Sequence, residues 1–271
     1  MHGYRRRMAA TGRWRFAGGV ALLIFAVGPG AARGHEEGST GPATQIWGNA
    51  TLGKSRSETT YLELDIEPKW QVSEGEKWRN IDFTPLVERY PTDWLDLTAE
   101  TTVGNTRQRD GLDTFEITPR IGARFHLFGK MVPFIPGIPG LKYERLPRTR
   151  LGVATLVRVE WRNFFYSDDT PNQHEWRARL RLEGKLALNH ATLAEDRTLY
   201  AIGDVEYYEP LSDDIDERYV NKVRSRLGLG YRFSTKTKLE FLYIRDWNRD
   251  SPEEEGAEDT QSFDLRVKLL F

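Results

Sequence analysis

The 271-residue chain contains no cysteine. That absence excludes a disulfide framework, thiolate-ligated metal sites and the acylated cysteine that anchors a lipoprotein. Beyond residue 34 there is no run of about 18 apolar residues, the length a membrane-crossing helix needs. Phosphate-cradling glycine loops, a Gly-x-Ser-x-Gly nucleophile elbow and the fixed spacing of an EF-hand are also missing. Positive charge is not in surplus either: Lys+Arg number 39 and Asp+Glu 40. Six of those 39 basic residues and none of the acids lie in residues 1–34, which leaves 33 basic against 40 acidic in the remainder. An acidic balance of this kind is the opposite of what a nucleic-acid backbone recruits.

What is present begins with a targeting pattern. Arg5, Arg6, Arg7, Arg13 and Arg15 precede the apolar run Phe16 to Val27, which leads into Gly28-Pro29-Gly30 and small residues. This is the order of a secretory signal, and it predicts a cleaved segment over 1–34, with the cut near residues 32 to 34. A run of about 12 residues reaches only about 18 Å as a helix, too short for a roughly 30 Å hydrocarbon core. Residues 35–44 read as a short N-terminal segment, and 45–271 as one β domain.

Over that domain apolar and charged residues alternate in stretches of about ten, the signature of strands with two unlike faces. From Trp176 to Leu188, residues Trp176, Ala178, Leu180, Leu182, Leu186 and Leu188 share one face, and Arg177, Arg179, Arg181, Glu183 and Lys185 the other. A helix would smear those charges around its cylinder, so the segment must be extended. The preceding strand sets Val153, Thr155, Val157, Val159 and Trp161 against Arg158, Glu160 and Arg162, and the turn through Asp168, Asp169, Pro171 and Asn172 makes the two a hairpin. Similar segments fall near 45–53, 60–70, 79–90, 94–104, 114–127, 198–208, 221–233, 237–248 and 260–271, about eleven in all. Bacterial barrels have even strand numbers, so one further crossing is expected near Gly129 to Pro147, among Pro133, Pro136, Pro139 and Pro147. The fold expected is an all-β, antiparallel transmembrane β-barrel of about 12 strands, with 10 as the alternative.

Alternation alone also fits a soluble lipocalin-like binder, whose apolar face would point inward. Three features favour the membrane. The last segment places Phe263, Leu265, Val267, Leu269 and Phe271 on one face, an alternation with a terminal aromatic of the kind that outer-membrane barrel-assembly machinery recognises. Trp47, Trp70, Trp78, Trp94, Trp161, Trp176 and Trp247 lie near segment ends, where interfacial girdles form. Counted back from Phe271, Ser234 to Thr237 is a short turn on the periplasmic side, whereas Leu211 to Tyr219 and Ser251 to Glu258 are longer external loops; Gly129 to Arg148 breaks that asymmetry.

Gln45-Ile46-Trp47, Arg158-x-Glu160-x-Arg162, Trp176-Arg177-x-Arg179-x-Arg181, Arg224-x-Arg226-Leu227-Gly228-x-Gly230-Tyr231 and Phe271 together resemble a family of Gram-negative outer-membrane barrel proteins known only as a domain of unknown function. The resemblance implies a fold and an outer-membrane location, and carries no activity.

On these grounds Arg158, Glu160, Arg162, Arg177, Arg179, Arg181 and Glu183 are expected to line the lumen with Glu63, Asp65, Glu67, Asp96, Glu100, Glu116 and Arg120. In a barrel this narrow, opposite charges pair across the bore, giving a structural wall or a narrow charge-lined pore. A lipid-modifying enzyme is the alternative, for which His126 is the candidate base, but no serine stands at a suggestive spacing from it. The acidic clusters Asp213 to Glu217 and Glu253 to Glu255 read as solvated loop charge. No catalytic residue, metal or cofactor is expected, and the partners expected are outer-membrane lipid, lipopolysaccharide and the assembly machinery.

Overall fold

The computed structural model describes residues 43–72, 78–107, 113–128, 131–132, 146–147, 149–212, 223–247 and 260–271. The expected signal segment, the residues just after it and both acidic clusters lie outside the described residues. The chain forms strands β1 (Ala43–Ser57), β2 (Thr60–Gln71), β3 (Arg79–Arg89), β4 (Leu95–Arg107), β5 (Asp113–Phe128), β6 (Met131–Val132), β7 (Leu146–Pro147), β8 (Leu151–Tyr166), β9 (Gln173–Ala187), β10 (Thr198–Pro210), β11 (Val223–Ser234), β12 (Thr237–Trp247) and β13 (Thr260–Leu270). Eleven of them close into a barrel in which each strand pairs with the next, while β6 and β7 pair only with each other.

These eleven are the segments in which charge and apolarity alternate, with boundaries displaced by a few residues. The additional crossing expected between residues 129 and 147 is not in the wall, because β5 is hydrogen-bonded directly to β8 in register from Thr114↔Tyr166 onward. An odd number of strands has a geometric consequence. Strands that reverse direction at every turn leave the first and last pointing the same way, so β1 and β13 close the barrel in parallel, from Ala43↔Thr260 to Gly53↔Leu270. Parallel pairs are slightly less stable per residue than antiparallel ones. Here side chains and terminal backbone add to the seam: Gln261 Nε2 donates to Thr44 Oγ1 at 2.9 Å, and Phe271 N to Gly53 O at 3.0 Å.

The strand directions put the tight turns at 58–59 and 235–236 at the same end of the barrel as Phe271, together with the connection between β5 and β8. That connection and the one between β9 and β10, residues 188–197, are exceptions to a short-turn end and a long-loop end.

Orientation decides between the two readings left open by alternation. Leu180 and Leu182 are 49% and 44% exposed on the outer wall, while Glu160, Glu206 and Asp264 on the inner face are wholly buried. Water would solvate the charges and hide the leucines, so a soluble barrel would be built the other way round; acyl chains favour the arrangement found. Trp70, Trp94, Trp161 and Trp176 face outward, and Trp161 stacks on Trp176 with ring centroids 5.8 Å apart. Trp47 does not join that girdle: it is buried in the lumen with Ile202, Leu242 and Ile244.

Apolar side chains also floor the lumen at the short-turn end. Tyr61, Tyr90 and Leu270 form one cluster, and Ala187, Tyr200 and Leu193 another, Leu193 reaching in from the turn after β9. Gly230 stands opposite Tyr200 in the β10–β11 register, and any Cβ there would collide with the tyrosine ring. This glycine lets the ring lie flat on the wall, with its hydroxyl donating to Glu240 Oε1 at 2.6 Å.

Two outcomes are expected. In a chain without native cysteines, Thr44→Cys with Gln261→Cys should oxidise to an intramolecular cross-link that alters the gel mobility of the denatured chain and is reversed by reductant; its absence would contradict the parallel seam. Gly230→Val should displace Tyr200 and destabilise the barrel by about 1–3 kcal/mol, measured by unfolding in detergent or lipid.

Candidate functional site

Alternation along each strand sends every second side chain inward, so charges from neighbouring strands meet at the same height. The result is a connected line of ion pairs across six strands. Glu100 of β4 accepts from Arg120 of β5 at 3.2 Å, and Arg120 approaches Glu160 of β8 at 3.1 Å. Glu160 also accepts from Arg179 of β9 at 2.5 Å, and Arg179 continues to Glu206 of β10 at 2.7 Å. Glu206 in turn accepts from Arg226 of β11 at 2.8 Å, and Arg226 Nε is shared between the two oxygens of Asp204 at 2.8 Å and 3.0 Å.

Glu160 is the hub. Its carboxylate receives a two-pronged contact from Arg177, at 3.0 Å and 2.7 Å, in addition to Arg120 and Arg179. A carboxylate removed from water costs several kcal/mol, and only this density of charged donors offsets the cost. Arg162 bridges Glu116 and Glu175, each at 3.1 Å, and Arg158 donates to Glu100 at 2.6 Å. Glu183 has Lys185 at 3.6 Å. Arg181 faces the lumen with no hydrogen bond or ion pair among the described residues.

The seven charged residues of β8 and β9 expected in the lumen are thus on the inner face, and all but Arg181 form ion pairs there. Of the expected assembly residues, Phe263, Leu265 and Leu269 are exposed outward on β13, Val267 is half-buried, and Phe271 lies exposed just past the strand. Glu63 pairs with Lys268 at 2.6 Å, across the β1–β13 seam.

Sequence reasoning missed the other half of the network. The acceptors Asp204 and Glu206, and Tyr208 beside them, alternate on β10. Tyr208 donates to Glu206 at 2.9 Å, and its ring lies under Arg177 and Arg179, each 4.8 Å from the centroid, and Arg224 at 5.7 Å. The inward period of Asp204, Glu206 and Tyr208 was a usable signal, as was that of Arg224 and Arg226 on β11.

His126 is also turned inward, with Nε2 at 2.5 Å from Asp96 Oδ2. A carboxylate orienting an imidazole is half of a general-base arrangement, yet no hydroxyl hydrogen-bonds to this ring among the described residues. His174 lies within a strand as well, on the outer face, where its ring is 6.4 Å from that of Trp161. No group of three His, Cys, Asp or Glu is placed to hold a metal among the described residues.

The comparisons agree with this architecture. Residues 138–256 match a family described as "Protein of unknown function (DUF2490)". The arginine-lined strands and the Gly228/Gly230 segment that carry the resemblance drawn from sequence fall inside that span. No curated protein matches the chain. Among solved structures, LpxR from Salmonella typhimurium superposes with a TM-score of 0.50 at 8% identity, over 82% of this chain and 87% of that one. At that identity the likeness concerns the fold.

Breaking the hub should be costly. Glu160→Gln leaves Arg120, Arg177 and Arg179 short of a buried counter-charge and is expected to lower unfolding stability by about 3–5 kcal/mol. Glu195→Gln, which removes an exposed contact to His190, should change it by less than about 1 kcal/mol. Equal effects from the two substitutions would show that the lumen network does not brace the wall.

Proposed function

We propose that the protein is an outer-membrane β-barrel with a structural role, its interior closed by ion pairs. The observation that carries this reading is the complete burial of Glu160 and Glu206 at the middle of the barrel. A water-filled passage at that height would wet at least one of these carboxylates. The apolar floor formed by Tyr61, Tyr90, Leu270, Ala187, Leu193 and Tyr200 supports the same conclusion at the short-turn end.

The outer-membrane location rests on the outward apolar band, and the likeness to LpxR supports the barrel fold. In this reading the band contacts lipid and lipopolysaccharide acyl chains, and the alternating face of β13, with Phe263, Leu265 and Leu269 outward, is the surface offered to the assembly machinery. A lipid-modifying role gains little from the geometry, because the His126 ring faces inward and no hydroxyl hydrogen-bonds to it among the described residues.

Two experiments test the reading. The wild-type barrel in planar bilayers is expected to show no stable conductance, and the double substitution Glu160→Ala with Arg179→Ala to introduce discrete current steps. Regular steps from the wild type would replace the closed barrel with the narrow pore. Leu180→Arg, at the middle of the outer face of β9, should cost about 2–4 kcal/mol of stability in a bilayer. A neutral or stabilising effect would mean that water, not lipid, covers that face.

A further inference from the structure

The ion network is uneven, and the unevenness is localised. At the middle of the lumen Arg120, Arg158, Arg177, Arg179, Arg181 and Arg226 face the carboxylates of Glu100, Glu160, Glu183, Asp204 and Glu206. Each of these carboxylates is already engaged. Glu160 takes three arginines, Glu206 takes Arg179, Arg226 and the Tyr208 hydroxyl, Glu100 takes Arg120 and Arg158, Asp204 takes the Nε of Arg226 on both oxygens, and Glu183 takes Lys185.

Arg181 is left over. Its partner in the β9–β10 register is Glu206, whose oxygens are turned to Arg179 and Arg226 one step along the barrel. Its partner in the β8–β9 register is Leu156, which offers no acceptor from its side chain. Arg158 sits on the neighbouring strand, across from Arg179, two residues from Arg181. It is only 9% exposed, and one of its Nη groups is spent on Glu100. The Nε groups of both Arg158 and Arg181 are inaccessible to solvent and have no acceptor.

A buried charged donor with no acceptor costs more than a neutral one, and two like charges side by side add to the cost. Glu183, two residues along the same face of β9, offers Arg181 an attractive charge but no hydrogen bond, and pairs with Lys185 at 3.6 Å. Guanidinium groups present their donors as a planar fork that matches the oxygens of a tetrahedral oxyanion.

We infer that Arg158 and Arg181 form an anion site in the wall of the lumen, which takes one small inorganic oxyanion, phosphate or sulfate, as the acceptor for their unpartnered Nε groups. The ligand is a free ion, because the site faces the interior and not the lipid-covered surface. It is independent of whether the barrel conducts: a bound ion could equally complete a closed interior or occupy a narrow path.

The test uses the full-length mature barrel in detergent, equilibrated with inorganic phosphate, then dialysed exhaustively and denatured, with the released anions measured by ion chromatography. About one equivalent of phosphate per chain is expected from the wild type and none from Arg181→Gln. In parallel, saturating phosphate or sulfate should raise the melting temperature of the wild type by about 5–10 °C over chloride at matched ionic strength, and leave Arg181→Gln unmoved. No released oxyanion together with equal melting in phosphate, sulfate and chloride would overturn the site and leave ordered water as the partner of these donors. Release or stabilisation undiminished in Arg181→Gln would overturn it too, as binding elsewhere. Should that variant fail to fold, release from the wild type decides alone, with Arg158→Lys, which keeps the charge but loses the fork, expected to retain less than a tenth of the bound ion.

Discussion

The structure depends on charge being enclosed and neutralised at once. Once the wall closes with its apolar side outward, every second residue of every strand is committed to a narrow interior with little water. Each carboxylate there needs cationic donors from a neighbouring strand, and each arginine an acceptor. The line from Glu100 through Arg120, Glu160, Arg179 and Glu206 to Arg226 meets that requirement and, in doing so, ties six consecutive strands at one height. A register slip of one residue in any of them would place leucines inside and arginines in lipid, so the network and the hydrogen-bond register enforce each other.

Closure with an odd number of strands follows from the same economy of side chains. β5 meets β8 directly because Arg120 and Glu160, and Glu116 and Arg162, pair across that joint. The segment between them is excluded from the wall, and the first and last strands are left parallel. The seam is then held by features that do not depend on strand direction: the Gln261–Thr44 contact, and the Lys268–Glu63 bridge that passes over β1 to β2.

Much of this was legible in the sequence because a strand in a two-faced wall writes its environment directly into a period of two. Trp176 to Leu188 is the clearest instance: five charges separated from six apolar residues fix the strand, its two faces and, with Val153 to Trp161, its hairpin partner. Individual positions were less legible. Trp47 reads like any other segment-end tryptophan, yet it faces the lumen beneath Arg224 and Lys69, whose charged ends lie 5.1 Å and 4.8 Å from its ring. His126 could be recognised as a strand histidine, whereas its partner Asp96 comes from a neighbouring strand and is not implied by any spacing.

The sequence by itself determined that the chain beyond its first 44 residues is made of strands with one charged and one apolar face, where those strands lie, and which residues travel together on each face, since all of this is local geometry of an extended backbone. Only the tertiary structure decided which face is inside, that the barrel wall has eleven strands closed by a parallel seam, and which arginine serves which carboxylate. Those are properties of closure. They depend on contacts between residues far apart in the chain, and a period of two reads the same whichever way the wall is curled.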